Sequence, residues 1–250
     1  VNGNGGIGIP TMTVAYKKGM SLAKKTGISA LSIRNVGHTG RHGFFADIAA
    51  SQGFLTIMMG GGNRKKWRQV APFGGSKAIL PTNPYCIGIP GGDLGPVILD
   101  FATSKISGGW VYAAKSAGAL LPEDCIIDKK GKPSRDPDAY FNDGAILPMG
   151  EQKGYGLALI AELIGEALLG PATTECNWLL ITMKANQWRS TSILKNTAEE
   201  ILNEIRNSPP LKHIKKVEIP GEREREHRLY SKEKIAVPIQ TWKQIKTLIE

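Results

Sequence analysis

The sequence predicts an α/β fold with a mixed strand order. Segments with apolar residues at helical spacing alternate with short apolar runs that are typical of strands. Turns rich in glycine and proline separate most of these segments, and no internal repeat or low-complexity linker interrupts them. With 250 residues, the chain can bury a sizeable core in one large domain or two small ones.

The first half of the chain alternates between predicted helices and strands. The helix over 12–27 places Val14, Met20 and Ala23 on one face, with lysine pairs opposite, and stops at Gly27. The further predicted elements are a strand over 29–36, a helix over 43–53, strands over 54–60, 85–90 and 95–101, and a helix over 105–118.

The second half contains the strongest helical pattern, over 153–170, where glycines leave room for close packing. The apolar residues at helical spacing there are Leu157, Ile160, Ala161, Ile164 and Leu168. A second helix, over 196–208, is expected to be capped by Asn196 or Thr197. The remaining predictions are a loop over 122–150, a strand followed by a turn over 217–224, and a helix over 238–249.

Composition excludes several classes of protein. The apolar fraction of 41% and the charged fraction of 22% are ordinary for a globular protein. Apolar stretches are all shorter than 18 residues, and the N-terminus lacks a secretory pattern, so we expect a cytoplasmic protein without membrane contact. The three widely spaced cysteines favour neither disulfides nor a metal site.

The formal net charge of +10 has two interpretations. A polyanion partner is one, and solvated surface loops and helices are the other. The alternating signs of "EREREHR" favour the second, and no helix-turn-helix, zinc-finger or RNP pattern occurs, so we expect no nucleic-acid partner.

Two of the four histidines, His38 and His42, lie in one glycine-punctuated turn between a strand and a helix. Glycines beside a polar side chain permit a sharp turn and the close approach of a ligand. An imidazole can give or take a proton at physiological pH, which makes His38 a candidate acid/base. The alternative is a histidine that only caps the following helix.

Three other segments could contact phosphates or sugar hydroxyls, and two of them also have an ordinary structural explanation. The loop 73–84 offers backbone N–H groups and the Thr82 hydroxyl, or is a surface hairpin. The strand end 99–104 carries Asp100, Thr103 and Ser104, or caps a helix. Lys153 begins the strongest helix, and a helix N-terminus beside a cation is an anion site. The turn 219–222 alone indicates no function.

Common nucleotide and hydrolase motifs are missing from the sequence. The glycines of "GNGGIG" have a Rossmann-like spacing, but no strand precedes them in this chain. The sequence contains no Walker A loop, no G-x-S-x-G elbow and no H-E-x-x-H. A dinucleotide would therefore have to bind in another way.

Six motifs together resemble one family. In order they are "RNVGHTG", "APFGGSKAILPTNP", "ILDFATS", "DKKGKPSRDP", "LPMGEQKGYGLAL" and "IPGERE". This order resembles the malate/L-lactate dehydrogenase family of the non-Rossmann type, whose relatives include sulfolactate, ureidoglycolate and Δ1-piperideine-2-carboxylate oxidoreductases. The resemblance runs along the whole chain.

The resemblance implies NAD- or NADP-dependent interconversion of a small 2-hydroxyacid and its 2-oxoacid, by default malate or L-lactate. It implies a largely antiparallel sheet with flanking helices, a non-Rossmann dinucleotide-binding domain and a homodimer. His38 would exchange the proton at the substrate oxygen. The implied cofactor contacts are Gly62, Thr82, Asn83, Asp100, Phe101, Ala102, Lys153, Gly154, Pro220, Gly221 and Glu222.

The sequence also departs from this family. Arg41 and His42 stand where small or apolar residues are usual, and Pro81 replaces a glycine. The chain shows no counterpart of the family's N-terminal region, which carries a substrate-binding arginine, so we expect poor turnover unless Arg41 substitutes for it. We expect residues 1–177 to form the dinucleotide-binding and catalytic region, and 178–250 a lobe that packs with the missing segment.

Three alternatives remain open at this point. The chain could be a reductase of cyclic 2-imino acids from the same family, with the same proton donor serving a nitrogen. It could be a truncated, catalytically inactive family member. It could also be a polyanion-binding module.

Overall fold

A computed structural model describes residues 1–231 and 234–248. The helices are α1 (Gly8–Thr26), α2 (Gly43–Ser51), α3 (Gly108–Ala117), α4 (Pro137–Phe141), α5 (Gln152–Glu162), α6 (Thr191–Arg206), α7 (Glu222–Tyr230) and α8 (Ile239–Thr247). The strands are β1 (Ile28–Val36), β2 (Phe54–Gly61), β3 (Tyr85–Ile89), β4 (Val97–Phe101), β5 (Ile126–Ile127), β6 (Pro133–Ser134), β7 (Ala145–Ile146) and β8 (Cys176–Lys184).

The chain forms two compact units. Unit 1 comprises 1–63, 84–101 and 161–228, and unit 2 comprises the described residues of 64–83, 102–160 and 229–250. The expected boundary after Asn177 falls inside β8, which belongs entirely to unit 1. The functions expected for 1–177 and 178–250 stay predictions.

Unit 1 is built on a five-stranded sheet of order β1-β8-β2-β3-β4. Each neighbouring pair in this sheet is antiparallel, so the predicted antiparallel α/β architecture is confirmed. Helices α1 and α2 pack on the sheet because their apolar faces meet its buried side chains. The large side chains of this core include Met12, Tyr16, Ile33, Phe45, Phe54, Met58, Trp178 and Leu180.

Strand β8, which sequence reasoning missed, is an interior strand of this sheet. It pairs with β1 on one side and β2 on the other, and the side chains of Trp178, Leu180 and Thr182 are buried. This position explains its apolar "NWLLITM" sequence.

Helix α5 is followed by a π-helical turn at Leu163–Leu168. The predicted core face is mostly wrong, because Leu157, Ile160 and Leu168 are exposed. Of its five residues only Ala161 is buried, and Ile164 is half-buried. Gly165 packs against the backbone of Gly61, which confirms that a glycine here serves close packing.

Unit 2 contains a three-stranded sheet of order β6-β5-β7. These strands and α4 lie within 122–150, where we expected only a loop. Its core groups Val70, Leu80, Ile106, Val111, Leu121, Ile126, Ile146 and Ala158. Ser107 caps α3, because its hydroxyl accepts a hydrogen bond from the Trp110 amide at 3.3 Å.

Two further predictions were wrong. Helix α6 begins at Thr191, and its cap is Ser190, whose hydroxyl accepts from Ile193 N at 3.4 Å, rather than Asn196 or Thr197. The expected strand at the start of 217–224 is absent, and α7 begins at Glu222. One backbone bond from Ile98 N to Pro220 O, at 3.0 Å, holds this segment without forming a strand.

Among residues 1–231 and 234–248, no helix combines the length and apolar character that a membrane span requires. Cys86, Cys125 and Cys176 are free thiols.

Candidate functional site

His38 lies in the loop between β1 and α2, and its side chain is 79% exposed. Its Nδ1 atom lies 3.4 Å from Oε2 of Glu175, whose side chain is 38% exposed. Strand pairing produces this contact, because Val36 at the end of β1 faces Cys176 at the start of β8. The backbone carbonyl of His38 also accepts a hydrogen bond from Gly8 N at 2.9 Å, which anchors the loop.

His42 has a structural environment of a different kind. It is buried, its ring lies 4.2 Å from that of Trp178, and Nε2 lies 3.1 Å from the Thr39 hydroxyl. Burial lowers the pKa of His42 to about 3, and the charge of nearby His38 adds to this effect. His42 is therefore a neutral core residue at physiological pH.

Asp100 is held beside the start of α2. Its Oδ2 accepts a hydrogen bond from Gly43 N at 2.6 Å, and Arg41 Nε lies 4.0 Å from the same oxygen. Burial raises the pKa of Asp100 above its ordinary value, while the Gly43 amide and the Arg41 guanidinium oppose this increase. A half-buried carboxylate accepts hydrogen bonds, so Asp100 is suited to recognising a hydroxyl group of a ligand.

The turn at Pro220–Glu222 packs directly on β4. Gly221 has a φ of +95°, and a Cβ there would lie 3.1 Å from Cβ of Ile98, so glycine is needed at this approach. The Glu222 carboxylate accepts from Arg206 Nε at 2.9 Å and from Ile219 N at 3.3 Å. The Pro220 and Gly221 carbonyls accept hydrogen bonds from Ile98 N at 3.0 Å and Arg225 N at 3.2 Å, so both these carbonyls and the Glu222 side chain are engaged within the protein.

Three of the predicted cofactor residues line one groove in unit 1. Asp100, Pro220 and Gly221 border a cavity of about 250 Å³, together with Arg41 and Glu224. The structure brings these residues together from three separate segments of the chain.

Gly62 and Phe101 are positioned by packing. Gly62 is buried, and its N–H donates to Oε2 of Glu162 at 3.0 Å. The Phe101 ring stacks on Tyr85 with centroids 6.0 Å apart. The buried carboxylate of Glu162 is a feature that sequence reasoning missed, since a charged residue in an apolar helix pattern was the only available indication.

In unit 2, Thr82 and Asn83 are fixed by Thr103. The Thr103 hydroxyl lies 2.9 Å from the Thr82 carbonyl and 3.1 Å from the Asn83 carbonyl. Ala102, the residue before Thr103, is half-buried. The Thr103 hydroxyl therefore shapes the loop instead of facing solvent.

Lys153 and Gly154 lie in the first turn of α5. The Lys153 side chain is exposed, and Gly154 N donates to Met149 O at 3.0 Å. Lys153 has no ion pair among the described residues, and such an ammonium group beside the N-terminus of an 11-residue helix fits the requirements of a phosphate.

Each unit carries groups whose chemistry can be stated by itself. Unit 1 supplies a histidine–carboxylate pair and a carboxylate for hydroxyl recognition, and unit 2 supplies a cation at a helix N-terminus. In the part of the chain that the structure describes, no cluster of three or more His, Cys, Asp or Glu could hold a metal ion.

Comparison with known proteins gives consistent results. The malate/L-lactate dehydrogenase family model matches residues 1–246. The L-sulfolactate dehydrogenase of Methanocaldococcus jannaschii is 32% identical over 97% of this chain, which spans 71% of that protein. The Δ1-pyrroline-2-carboxylate/Δ1-piperideine-2-carboxylate reductase of Pseudomonas putida is 29% identical over 100% of the chain and 74% of its own length.

The fold is also similar to solved structures. The crystal structure of a dehydrogenase from Sinorhizobium meliloti superimposes with a TM-score of 0.86 at 31% identity. The match covers 99% of this chain and 75% of that one.

Proposed function

The chain belongs to the malate/L-lactate dehydrogenase family, and from this premise we propose that it is an NAD- or NADP-dependent oxidoreductase of small 2-hydroxyacids. The family comprises hydroxyacid dehydrogenases and imino acid reductases. Malate or L-lactate is the default substrate, with the corresponding 2-oxoacid as product.

The pairing of His38 with Glu175 is the observation that carries this proposal. The His38 side chain is accessible to a substrate, and a carboxylate 3.4 Å from Nδ1 orients the ring and fixes its tautomer. Nε2 then points away from Glu175. In the reducing direction, protonated His38 donates a proton from Nε2 to the carbonyl oxygen at C2, and in the oxidising direction neutral His38 removes the hydroxyl proton.

The nicotinamide ring of the cofactor supplies or accepts the hydride at C2 of the substrate when it is bound. Asp100 and the turn at Pro220 and Gly221, which line one cavity, are proposed to contact the cofactor in unit 1. In unit 2, Lys153 and the N-terminus of α5 are proposed to hold a phosphate, and the loop at Thr82 and Asn83 to contribute backbone contacts. The further proposed contacts are Gly62, Phe101, Ala102, Gly154 and Glu222.

A homodimer is likewise proposed, on the family resemblance alone.

A cyclic 2-imino acid is the second candidate substrate, because the Pseudomonas putida reductase aligns over 100% of the chain. The same proton from His38 would be delivered to the ring nitrogen instead of a carbonyl oxygen. His38 can donate its proton to either acceptor, because the carbonyl oxygen and the imine nitrogen are both bonded to C2 and both carry a lone pair.

A substrate panel with NADH and NADPH tests this proposal. Oxaloacetate, pyruvate, sulfopyruvate and Δ1-piperideine-2-carboxylate are compared in the wild type, His38→Ala and His213→Ala, the last being an exposed control. We expect turnover on at least one 2-oxoacid, a loss of about 10²–10⁴-fold in His38→Ala, and no change in the control. Turnover of the imino acid alone would favour the second candidate, and no cofactor binding or turnover would indicate an inactive family member.

A further inference from the structure

A second cavity, of about 590 Å³, lies within unit 1. Phe54, which begins β2, and Lys184, which ends β8, both line it. His38 follows the other end of this sheet, and a strand of eight residues spans about 25 Å. The cavity is therefore remote from the proposed acid/base, and nothing in the proposed reaction uses it.

The walls of this cavity are held by hydrogen bonds. The turn between β3 and β4 is tied to α6, because the Glu199 carboxylate accepts from Asp93 N at 2.5 Å and Lys195 pairs with Asp93 at 2.7 Å. On the opposite side, Ala185 N donates to Gly53 O at 3.0 Å. The site is thus preformed and lies in the size range of small-molecule pockets, about 300–1,000 Å³.

Its interior is mainly apolar. The buried side chains of Ala50, Phe54 and Ala185 line it, and Pro96 and Leu194 add further apolar surface. Transfer of the apolar part of a ligand from water into this cavity would be favourable.

The charged groups at its border are all cations. Among the described residues, Lys24, Lys184 and Lys195 line the cavity and no carboxylate does so. Lys195 is paired with Asp93, whereas Lys24 and Lys184 have no carboxylate partner within 4.0 Å in the described residues. Helix α6 also begins at this border, with Thr191 lining the cavity, so its N-terminal partial charge adds to the positive potential.

We propose that this cavity binds a small organic anion with an apolar body, as a site separate from the one for the substrate and dinucleotide. Lys24 and Lys184 hold the carboxylate or sulfonate group, and the apolar body lies against Phe54 and Leu194. The combination of an apolar floor with unpaired cations selects this class over neutral apolar molecules and over small inorganic ions.

Two fluorescent probes test this site in the full chain. 8-Anilinonaphthalene-1-sulfonate carries the required anion, and N-phenyl-1-naphthylamine has a similar apolar body without it. We expect the Lys24→Gln/Lys184→Gln variant to bind the sulfonate about tenfold more weakly, since hydrogen bonds to charged groups are the stronger ones, and to bind the neutral probe as the wild type does.

A matched control separates a local site from net charge. Lys17→Gln/Lys18→Gln removes the same charge from α1 outside the cavity and is expected to leave both affinities unchanged. The proposal is overturned by an absence of sulfonate binding in the wild type, by equal weakening in both double variants, or by unchanged affinity in Lys24→Gln/Lys184→Gln. Displacement of the sulfonate by saturating NADH would also overturn it, because the probe would then occupy the cofactor site.

Discussion

Glu175 lies 3.4 Å from His38 although 137 residues separate them in the sequence. The contact exists because β8 inserts between β1 and β2 and starts where β1 ends. The position of the Glu175 carboxylate beside His38 therefore depends on the order of strands in the sheet. The loop that carries His38 does not itself supply this carboxylate.

Replacing Glu175 tests this positioning role. Glu175→Gln is expected to lower kcat about tenfold, because a hydrogen bond to a charged group contributes roughly 1.5 kcal/mol, while the Kd of NADH and the melting temperature stay unchanged. Steady-state kinetics and NADH titration measure both quantities. Glu200→Gln, an exposed carboxylate on α6, is the control, and an equal decrease of kcat there would remove Glu175 from the mechanism.

The buried His42 predicts a pH dependence of stability. Its pKa is about 3 in the folded protein and near 6.5 when unfolded, so between these values the unfolded chain binds more protons. The free energy of unfolding should therefore fall by up to about 1.4 kcal/mol for each pH unit below 6.5. In His42→Phe, which keeps a ring beside Trp178, this part of the slope should disappear.

Urea unfolding of both proteins at pH 7 and pH 5 measures the effect. The difference between the proteins isolates His42 from the other titrating groups, and exposed His213→Ala should follow the wild type. Parallel slopes for the wild type and His42→Phe would contradict a neutral, buried His42.

Sequence periodicity predicted the helices and strands whose own residues form a clear pattern. Helices α1 and α2 and strands β1 to β4 lie close to the expected positions, since each carries a period or a bounded apolar run. The interior strand β8 was missed because its continuous apolar run has no alternating period that identifies a strand. The segment 217–224 shows the reverse error, since a strand-like composition forms no strand without a ladder partner.

The candidate site was likewise predictable only in part. Its residue types and turns were visible in the sequence, as at His38 and Lys153. The contacts that define their surroundings join distant segments, as Glu175 does with His38 and Arg206 with Glu222. Such pairs depend on topology, and a single sequence contains no direct trace of them.

Lys153 is expected to contribute to dinucleotide affinity. Lys153→Ala removes an exposed cation from the N-terminus of α5 and should raise the Kd of NADH about 10-fold or more, since a charge-assisted contact contributes roughly 1.5–3 kcal/mol. Fluorescence titration of NADH is the measurement. Lys129→Ala, an exposed lysine elsewhere in unit 2, should have no effect, and an unchanged Kd in Lys153→Ala would exclude Lys153 from the site.

Glu222 is expected to matter for stability through its side chain. Its carboxylate and the Arg206 guanidinium are only 12% and 15% exposed and lie 2.8 Å apart. Among the described residues, Glu222→Gln leaves the Arg206 charge paired with Glu199 at 3.5 Å, so the free energy of unfolding should fall by about 2 kcal/mol.

Urea unfolding of Glu222→Gln, Arg206→Met and the double variant gives the coupling between the two residues. A coupling near zero would show that the pair does not hold α6 to this turn. Glu226→Gln, which breaks the exposed pair with Lys216, should change stability by less than about 1 kcal/mol.

Two functions of Arg41 are compatible with its place in the sequence. It could hold the carboxylate of a 2-oxoacid, or it could act on the cofactor through Asp100. Its side chain is 45% exposed, and Nε lies 4.0 Å from Oδ2 of Asp100. Because this guanidinium opposes the increase in the pKa of Asp100, its removal should favour the protonated carboxyl group.

We therefore expect Arg41→Ala to raise the Kd of NADH about threefold, as a partly exposed pair contributes at most about 1 kcal/mol, and to leave the KM of the 2-oxoacid unchanged. Asp100→Asn should reproduce the effect on NADH, and Arg41→Lys should largely restore it, because a point charge near Asp100 is sufficient. A large increase in the KM of the 2-oxoacid in both Arg41→Ala and Arg41→Lys, with NADH affinity intact, would instead identify Arg41 as a bidentate ligand of the substrate carboxylate.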